Sequence, residues 1–297
     1  MFRALILGAV AGGGLPQWNC GCENCAACRA GYIPEQTQSS IAVTANGADW
    51  AIINASPDIR QQLARTPMLH PTGVRSVPLA SVLLTNGDLD HIAGLLSLRE
   101  QQAFDLFATR DIHRVLENNP VFSALNPEFV TRKITHLNAT FSLVSGLTCT
   151  TFAVPGKVPL FMEGAEVQTD LEGEQTVGVE ITYDDARIFY IPGCAAMTDA
   201  LRARLQGADI VFFDGTLWTD DEMVQAGLSR KTGKRMGHMS MSGPDGTIAA
   251  FRDIDVKEKV FVHMNNTNPA LDLRSAVARD IRAAGWTIAR DGMEFAL

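Results

Sequence analysis

An apolar run over residues 2–7, stopped by Gly8, predicts a buried first strand that leads into the turn-rich segment Ala11-Gly12-Gly13-Gly14. Two more apolar runs, 40–45 and 50–54, flank Asn46-Gly47. That pair tolerates the positive φ of a tight turn, so an antiparallel hairpin is expected. Ser56-Pro57-Asp58 supplies a helix start, with Ser56 as N-cap and Pro57 at the first helical position of a helix through Leu63. Residues 80–85 read as a buried strand and 92–99 as the helix after it. Further strands are predicted at 104–108, 148–154, 177–183, 188–191, 210–213 and 260–262, and helices near 111–118, 198–206, 243–252 and 269–284.

Hairpins and strand-helix-strand units alternate along the chain, with no internal repeat. An open, doubly wound sheet would need uninterrupted parallel alternation, which the hairpin at 40–54 and the pair 177–191 break. The pattern predicts one α/β domain over residues 1–297, an αββα sandwich of two mixed β-sheets with outer helices. Its length is near the upper size of a single core.

Composition changes the picture in three places. With 46% hydrophobic and 20% charged residues, the whole chain should pack. A net charge of -8 excludes a general phosphate-backbone binder, so no nucleic acid partner is expected. The basic stretch Arg230-Lys231-Thr232-Gly233-Lys234-Arg235 is a local exception, either a solvated loop or a holder of acidic substrate. The N-terminal apolar run is too short for a signal peptide, and no apolar stretch reaches the ~20 residues of a membrane span. A cytoplasmic protein is the expectation, and its six Cys residues then need a reason other than disulfides.

Four of those thiols, Cys20, Cys22, Cys25 and Cys28, lie within nine residues in a Cys-rich loop at about 18–30. Side chains this close cannot all enter one apolar core. A structural Zn²⁺ site, which takes thiolates at about 2.3 Å, is favoured over a redox-active pair or free thiols. Cys20, Cys22 and Cys25 are the expected ligands. Either Cys28 or a residue from elsewhere closes the shell. Cys149 reads as a small buried hydrophobe.

At the end of the 80–85 strand, Asp88-Leu89-Asp90-His91 resembles the metallo-β-lactamase superfamily signature His-x-His-x-Asp-His. Asn86 and Asp88 stand where its leading histidines would be, and Lys157, after Pro155-Gly156, stands where a later one would be. The resemblance implies loss of the first metal site. It also implies retention of part of the second, as Asp90, His91 and the strand-end His263, with Cys194 in place of a bridging aspartate. Asp214 and His238 match positions that are functional in relatives acting on transfer RNA or phosphodiesters, which makes both candidate catalytic groups. Two imidazoles and one carboxylate, with Asp214 or Cys194 as a further ligand, suit one Fe²⁺ with open positions better than paired-metal hydrolysis. His70, His113 and His136 have no such context and are assigned to surface or core roles.

Taken together, Gly12-Gly13-Gly14-Leu15-Pro16-Gln17-Trp18-Asn19-Cys20, Asn54-Ala55-Ser56-Pro57-Asp58, Thr85-Asn86-Gly87-Asp88 and His263-Met264-Asn265-Asn266-Thr267-Asn268-Pro269 resemble the coenzyme PQQ biosynthesis protein B family along the whole chain. The resemblance implies a role in making pyrroloquinoline quinone (PQQ), with iron-dependent, O₂-using hydroxylation of a tyrosine ring as the favoured activity. A carrier that helps move PQQ or its precursor towards the periplasm and a residual metal-dependent hydrolase are the alternatives. Implied partners are a tyrosine-containing precursor, peptide or excised Glu-Tyr, and other PQQ biosynthesis proteins; a homodimer is one admissible assembly. On this reading Asp90, His91 and His263 bind iron, and His238 is an acid/base group or substrate contact. Asp88 orients a ligand or binds water. Lys157 meets a substrate carboxylate or forms a structural salt bridge.

Overall fold

In the computed structural model, which describes residues 1–164 and 166–297, the strands form two seven-stranded sheets. The first contains β1 (Arg3–Gly8), β2 (Ser40–Thr44), β3 (Trp50–Ile53), β4 (Leu79–Leu83), β5 (Phe104–Thr109), β6 (Val130–Thr135) and β14 (Glu294–Ala296), in the order β14-β1-β2-β3-β4-β5-β6. The second contains β7 (Thr140–Val144), β8 (Leu147–Ala153), β9 (Val177–Tyr183), β10 (Ala186–Ile191), β11 (Ala208–Asp214), β12 (Val256–Val262) and β13 (Trp286–Ile288), in the order β13-β12-β11-β10-β9-β8-β7. Each sheet is antiparallel in one half and parallel in the other. Strands β3 to β6 run parallel in the first sheet and β10 to β13 in the second.

The two-residue period of the strands divides their side chains between two cores. Ile6, Ile41, Ile53 and Leu83 face the second sheet and pack with Val179, Ile181 and Phe189. Their neighbours Leu5, Leu7, Ala42, Ile52 and Val82 face outward, beneath the helices. Each such fully buried side chain stabilises the fold by roughly 1.5–3 kcal/mol. Over the first sheet lie α2 (Ile59–Arg65), α3 (Leu89–Ile92) with its continuing 3₁₀ turn Ala93–Leu98, and α4 (Arg110–Glu117). Over the second lie α5 (Asp199–Leu205), α8 (Thr247–Ala250) and α9 (Ala276–Ala283). The short helices α1 (Glu23–Arg29), α6 (Glu222–Gln225) and α7 (Gly233–Met236) are set into the loops that follow the strands. Among the described residues no helix is long and apolar enough to cross a membrane.

The structure departs from the pattern-based expectation where polar chemistry overrides it. The helix expected from Ser56 starts at Ile59, because Ser56 Oγ accepts the Asp58 amide at 3.3 Å and closes a turn instead. The helix expected over 269–284 is split. Asn268 caps a 3₁₀ turn at Pro269–Leu271, and Ser275 starts α9 by accepting the Ala278 amide. The helix near 243–252 shrinks to Thr247–Ala250, since Gly243, Pro244 and Gly246 precede it. Strands β6 and β7, which the apolar pattern does not predict, are edge strands: β6 carries mostly polar, solvent-facing side chains, and β7 is only five residues long, with Leu143 and Val144 buried at one end.

Candidate metal centre

Four parallel strands, β4, β10, β11 and β12, end on the same rim of the sandwich, and the loops after them carry the cluster. Crevices at the carboxyl ends of parallel strands are the usual binding positions in such sheets. Asp88, Asp90 and His91 follow β4, Cys194 follows β10, Asp214 closes β11, and His263 follows β12. Close approach fixes the α3 region. The Ala55 amide donates to His91 O and the Gly94 amide to Ala55 O. A Cβ on Gly94 would come within 2.0 Å of Ser56 O, so only glycine fits there.

Asp90, His91 and His263 bring one oxygen and two nitrogen donors within 4.8 Å of one another. His91 Nδ1 donates to Asn86 Oδ1 at 2.7 Å, which leaves Nε2 as the acceptor nitrogen, buried and without any hydrogen-bond partner. Thr216 fixes the other imidazole. Its hydroxyl donates to Asp214 Oδ1 at 2.6 Å and accepts from His263 Nδ1 at 2.9 Å, so His263 also turns Nε2 inward, 3.1 Å from Asp90 Oδ2. A bare imidazole nitrogen facing a carboxylate oxygen needs a proton or a cation between them. Both histidines thus hold the tautomer a metal requires, and the orphaned Nε2 of His91 has no other use in the fold. The residues fit a divalent cation with nitrogen and oxygen preferences.

Charge follows the same geometry. Burial pushes His91 down to about 4, which keeps the imidazole neutral. Burial opposes charge on Asp90, but His91 and the hydrogen bond from His263 outweigh it and hold the carboxyl well below the usual range. His263 moves upward, because Asp90 and Asp214 overcome the effect of burial. Asp88 is raised by burial and by the charge of Asp90. His263 has φ +57°, a left-handed conformation that costs a non-glycine residue on the order of 1–3 kcal/mol.

Asp214 and His238 form a second unit beside the first. His238 Nδ1 donates to Asp214 Oδ2 at 2.6 Å, and its ring stacks on His263 with centroids 5.3 Å apart. Asp214, His238 and His263 also place donor atoms within 4.8 Å of one another. Asp214, however, accepts four hydrogen bonds, from the amides of Cys194 and Thr216, the Thr216 hydroxyl and His238. Both oxygens are fully engaged, so this carboxylate can orient His238 but has no free position for a cation. Burial opposes its charge, yet His238 holds it below the ordinary carboxylate range. Cys194 lies outside both donor clusters. Its amide serves Asp214, its thiol donates to Ala196 O at 3.2 Å, and burial pushes that thiol far up.

The cluster forms one wall of a cavity of about 350 Å³. Asp88 and His238 share that wall, and Lys157, Lys231 and Arg235 stand around it with Leu160, Met223 and Met236. Glu163 holds two of the three cations, Lys157 at 3.0 Å and Arg235 at 2.8 Å. Lys231 Nζ has no ion pair or hydrogen bond among the described residues. Lys157 thus takes the salt-bridged alternative while still lining the cavity.

In the Cys-rich loop, Cys20, Cys22 and Cys25 place their sulfurs within 4.8 Å of one another, a fit for zinc and its preference for soft thiolates. Burial pushes the Cys22 thiol up to about 11. The Asn266 side chain reaches all three sulfurs, with Nδ2 3.2, 3.5 and 3.3 Å from Cys20, Cys22 and Cys25. The structure does not bring Cys28 into this group. Cys22 caps α1 and Cys25 lies in its first turn. Cys28 is one turn further on, about 4.5 Å along the axis, and packs into the core. His113 and His70 serve the fold, each donating from Nε2 to a backbone carbonyl at 3.0 Å, Lys133 O and Ala64 O respectively. The sequence presents Asn86 only as a lost ligand, gives Thr216 and Asn266 no role, and offers Arg235 only as part of the basic stretch 230–235, two residues of which, Lys231 and Arg235, line the cavity. An Asp-x-Thr triplet at a strand end was the one available signal, for Thr216.

Comparison with known proteins identifies the family and the fold. The β-lactamase superfamily domain matches residues 49–264. Coenzyme PQQ synthesis protein B of Ruegeria pomeroyi is 54% identical over 295 residues, covering 99% of this chain and 100% of its own. The crystal structure of Zn²⁺-bound PqqB from Methylobacterium extorquens superposes with a TM-score of 0.98 at 49% identity, over 99% of this chain and 100% of that one. A diphosphatase of the PhnP family shares the fold at a TM-score of 0.69 and 19% identity, over 100% and 98% of the two chains. The chain belongs to the coenzyme PQQ synthesis protein B family, within the β-lactamase superfamily.

Proposed function

We propose that the chain acts in PQQ synthesis as a mononuclear iron, O₂-dependent hydroxylase of a tyrosine ring in the precursor. The observation that carries this reading is the orphaned, buried Nε2 of His91 beside Asp90 and His263, a two-nitrogen, one-oxygen donor set that opens onto a cavity. Fe²⁺ held there would supply O₂ activation, the chemistry that such a facial donor set with open positions suits. In the overall change, a ring C–H becomes C–OH. One atom of O₂ enters the ring and the other leaves as water, with two electrons from an external reductant of the ascorbate class.

The chain's own groups do the rest. Asn86 and Thr216 hold the ligand imidazoles in one tautomer. Asp214 holds His238 with Nε2 free to exchange a proton with the substrate phenol. Met223, Met236 and Leu160 give the ring apolar walls, while Lys231 and the Lys157–Arg235 pair meet the carboxylates of a Tyr- or Glu-Tyr-containing precursor. Asp88 faces the same cavity and is suited to bind water or a substrate N–H. We further assign structural zinc to Cys20, Cys22 and Cys25.

The test is reconstitution with Fe²⁺ under anaerobic conditions, followed by addition of the tyrosine-containing precursor, reductant and ¹⁸O₂. The expected product gains one labelled oxygen. Full iron occupancy with bound precursor and no mass gain would sink the hydroxylase.

A further inference from the structure

The segment after His263, whose φ is +57°, is tied down by hydrogen bonds on both sides. Met264 donates to Ala9 O and accepts from the Ala11 amide at 2.8 Å, and the Asn265 amide donates to Thr216 O at 2.8 Å. Asn266, three residues beyond His263, reaches the three sulfurs of the cysteine cluster. Asn24, in the same cluster, donates from one side-chain nitrogen to both Asn266 O at 2.9 Å and Asn268 O at 2.8 Å. Three residues span at most ~10 Å, so a shift at Asn266 has little slack before it reaches His263. A second connection runs from the N-terminal side. Ala9 and Ala11 hydrogen-bond to Met264, and Ala11 and Gly12 then line the cleft, where a Cβ on Gly12 would stand 3.5 Å from the Asp90 carboxyl, before the chain arrives at Cys20.

We propose that the cysteine cluster and the cleft form one linked unit, in which Asn266 and Asn24 are positioning residues for His263 and metal at the sulfurs sets the affinity of the cleft for its own metal. This rests on the reading that Asp90, His91 and His263 hold a metal. Strained backbone persists where its surroundings over-determine it. Here those surroundings are anchored on three sulfurs that a bound cation would keep together. Linkage makes the effect reciprocal, since whatever factor the sulfur-bound metal adds to cleft affinity, the cleft metal must add to retention at the sulfurs.

The probe is Mn²⁺, a hard cation that thiolates do not favour. Its dissociation constant is measured by electron paramagnetic resonance of the free ion in the full chain, with zinc at the sulfurs, in Cys22→Ser, and in Asn24→Ala. The loss of sulfur-bound zinc in Cys22→Ser should weaken Mn²⁺ by about 5–150-fold. Asn24→Ala, which retains zinc, should weaken it by roughly 10-fold. Conversely, saturating Mn²⁺ should raise zinc retention against a chelator by the same factor as the sulfur metal raises Mn²⁺ affinity.

Leu116→Ala, in the outer apolar layer, controls for lost stability and should leave Mn²⁺ affinity unchanged. If Cys22→Ser does not fold, Asn24→Ala and the reciprocal zinc measurement carry the test. Mn²⁺ affinity within twofold of the native chain in Asn24→Ala, together with zinc retention indifferent to Mn²⁺, overturns the coupling. A native chain that takes up no Mn²⁺, or whose uptake survives His263→Ala, instead overturns the cleft as a metal site, and the coupling falls with it.

Discussion

The cysteine cluster and the cleft each bring three metal-type donors within 4.8 Å of one another, yet they are assembled in opposite ways. The cluster comes from one turn and the start of α1, and Asn266 closes over its sulfurs. The cleft gathers Asp90, His91, Asp214 and His263 from the ends of separate strands and His238 from the loop after α7, leaves His91 Nε2 unpartnered, and opens onto a cavity. Three soft donors covered by an amide suit a stabilising metal, whereas nitrogen and oxygen donors facing a cavity leave room for chemistry. The groups that differ most are the ones behind the donors. A carboxamide spans the sulfurs, while Asn86 and Thr216 each fix a single imidazole.

The largest effects should come from removing donors, and they should differ in kind. His91→Ala should lower cleft metal affinity beyond the ~100-fold that loss of a supporting group gives, while zinc at the sulfurs and the melting temperature, both read with no metal added to the cleft, stay nearly unchanged. Cys22→Ser should release that zinc and lower Tm by on the order of 10 °C, if the metal contributes ~4 kcal/mol at ~2–4 °C per kcal/mol for a chain of this size. Metal analysis and calorimetry on both variants check this. A Tm loss in His91→Ala as large as that in Cys22→Ser would erase the distinction between the two sites.

Next comes the supporting group. Asn86→Ala removes the acceptor that fixes the His91 tautomer and should weaken cleft metal by about 10–100-fold, read by titration, with zinc at the sulfurs unchanged as long as no metal is added to the cleft. Asp214→Asn tests a different role. The amide cannot keep His238 in the same tautomer, so turnover should fall by roughly 100-fold while metal binding stays near native. Equal losses of metal and turnover in Asp214→Asn would instead make that carboxylate a ligand.

Much of the fold was legible because its signals are local. The hairpin at Asn46-Gly47, the strand before Thr85 and the strand ending at His263 each carry an apolar run with a defined stop. The cysteine cluster was legible for the same reason, down to Cys20, Cys22 and Cys25. Cys28 fell outside the group because helical rise, which the bare spacing does not display, carries it a turn away. In the cleft, Asp90, His91 and His263 could be named from motif position. What the pattern could not show is which hydrogen bond sets each tautomer. Asn86 and His91 are near in sequence, but Thr216 and His263 are 47 residues apart, and Asn266 meets Cys20 across 246. Contacts across such separations are made by the sheets and leave no periodic trace.

The smallest expected effect concerns the rim of the cleft, which the cysteine cluster lacks. Hydrogen-bonded Arg235, together with Lys157, holds Glu163 down at about 2 against the effect of burial. A carboxyl whose folded value is depressed stabilises the fold above its unfolded value, near 4.5, and loses that contribution as the pH falls from about 4.5 towards 2. Glu163→Gln at neutral pH should reproduce the acid effect locally. Amide exchange over residues 157–163 and 230–236 should quicken by about two- to fivefold, the range expected for a partly exposed ion pair, with exchange over 20–28 unchanged. Freed of Glu163, Lys157 and Arg235 would also present more positive charge to the cavity, so an acidic precursor should bind Glu163→Gln at least as tightly as the native chain. Weaker binding would mean that the carboxylate shapes the rim more than it neutralises it, and the cleft would then resemble the cysteine cluster in depending on a closed set of partners.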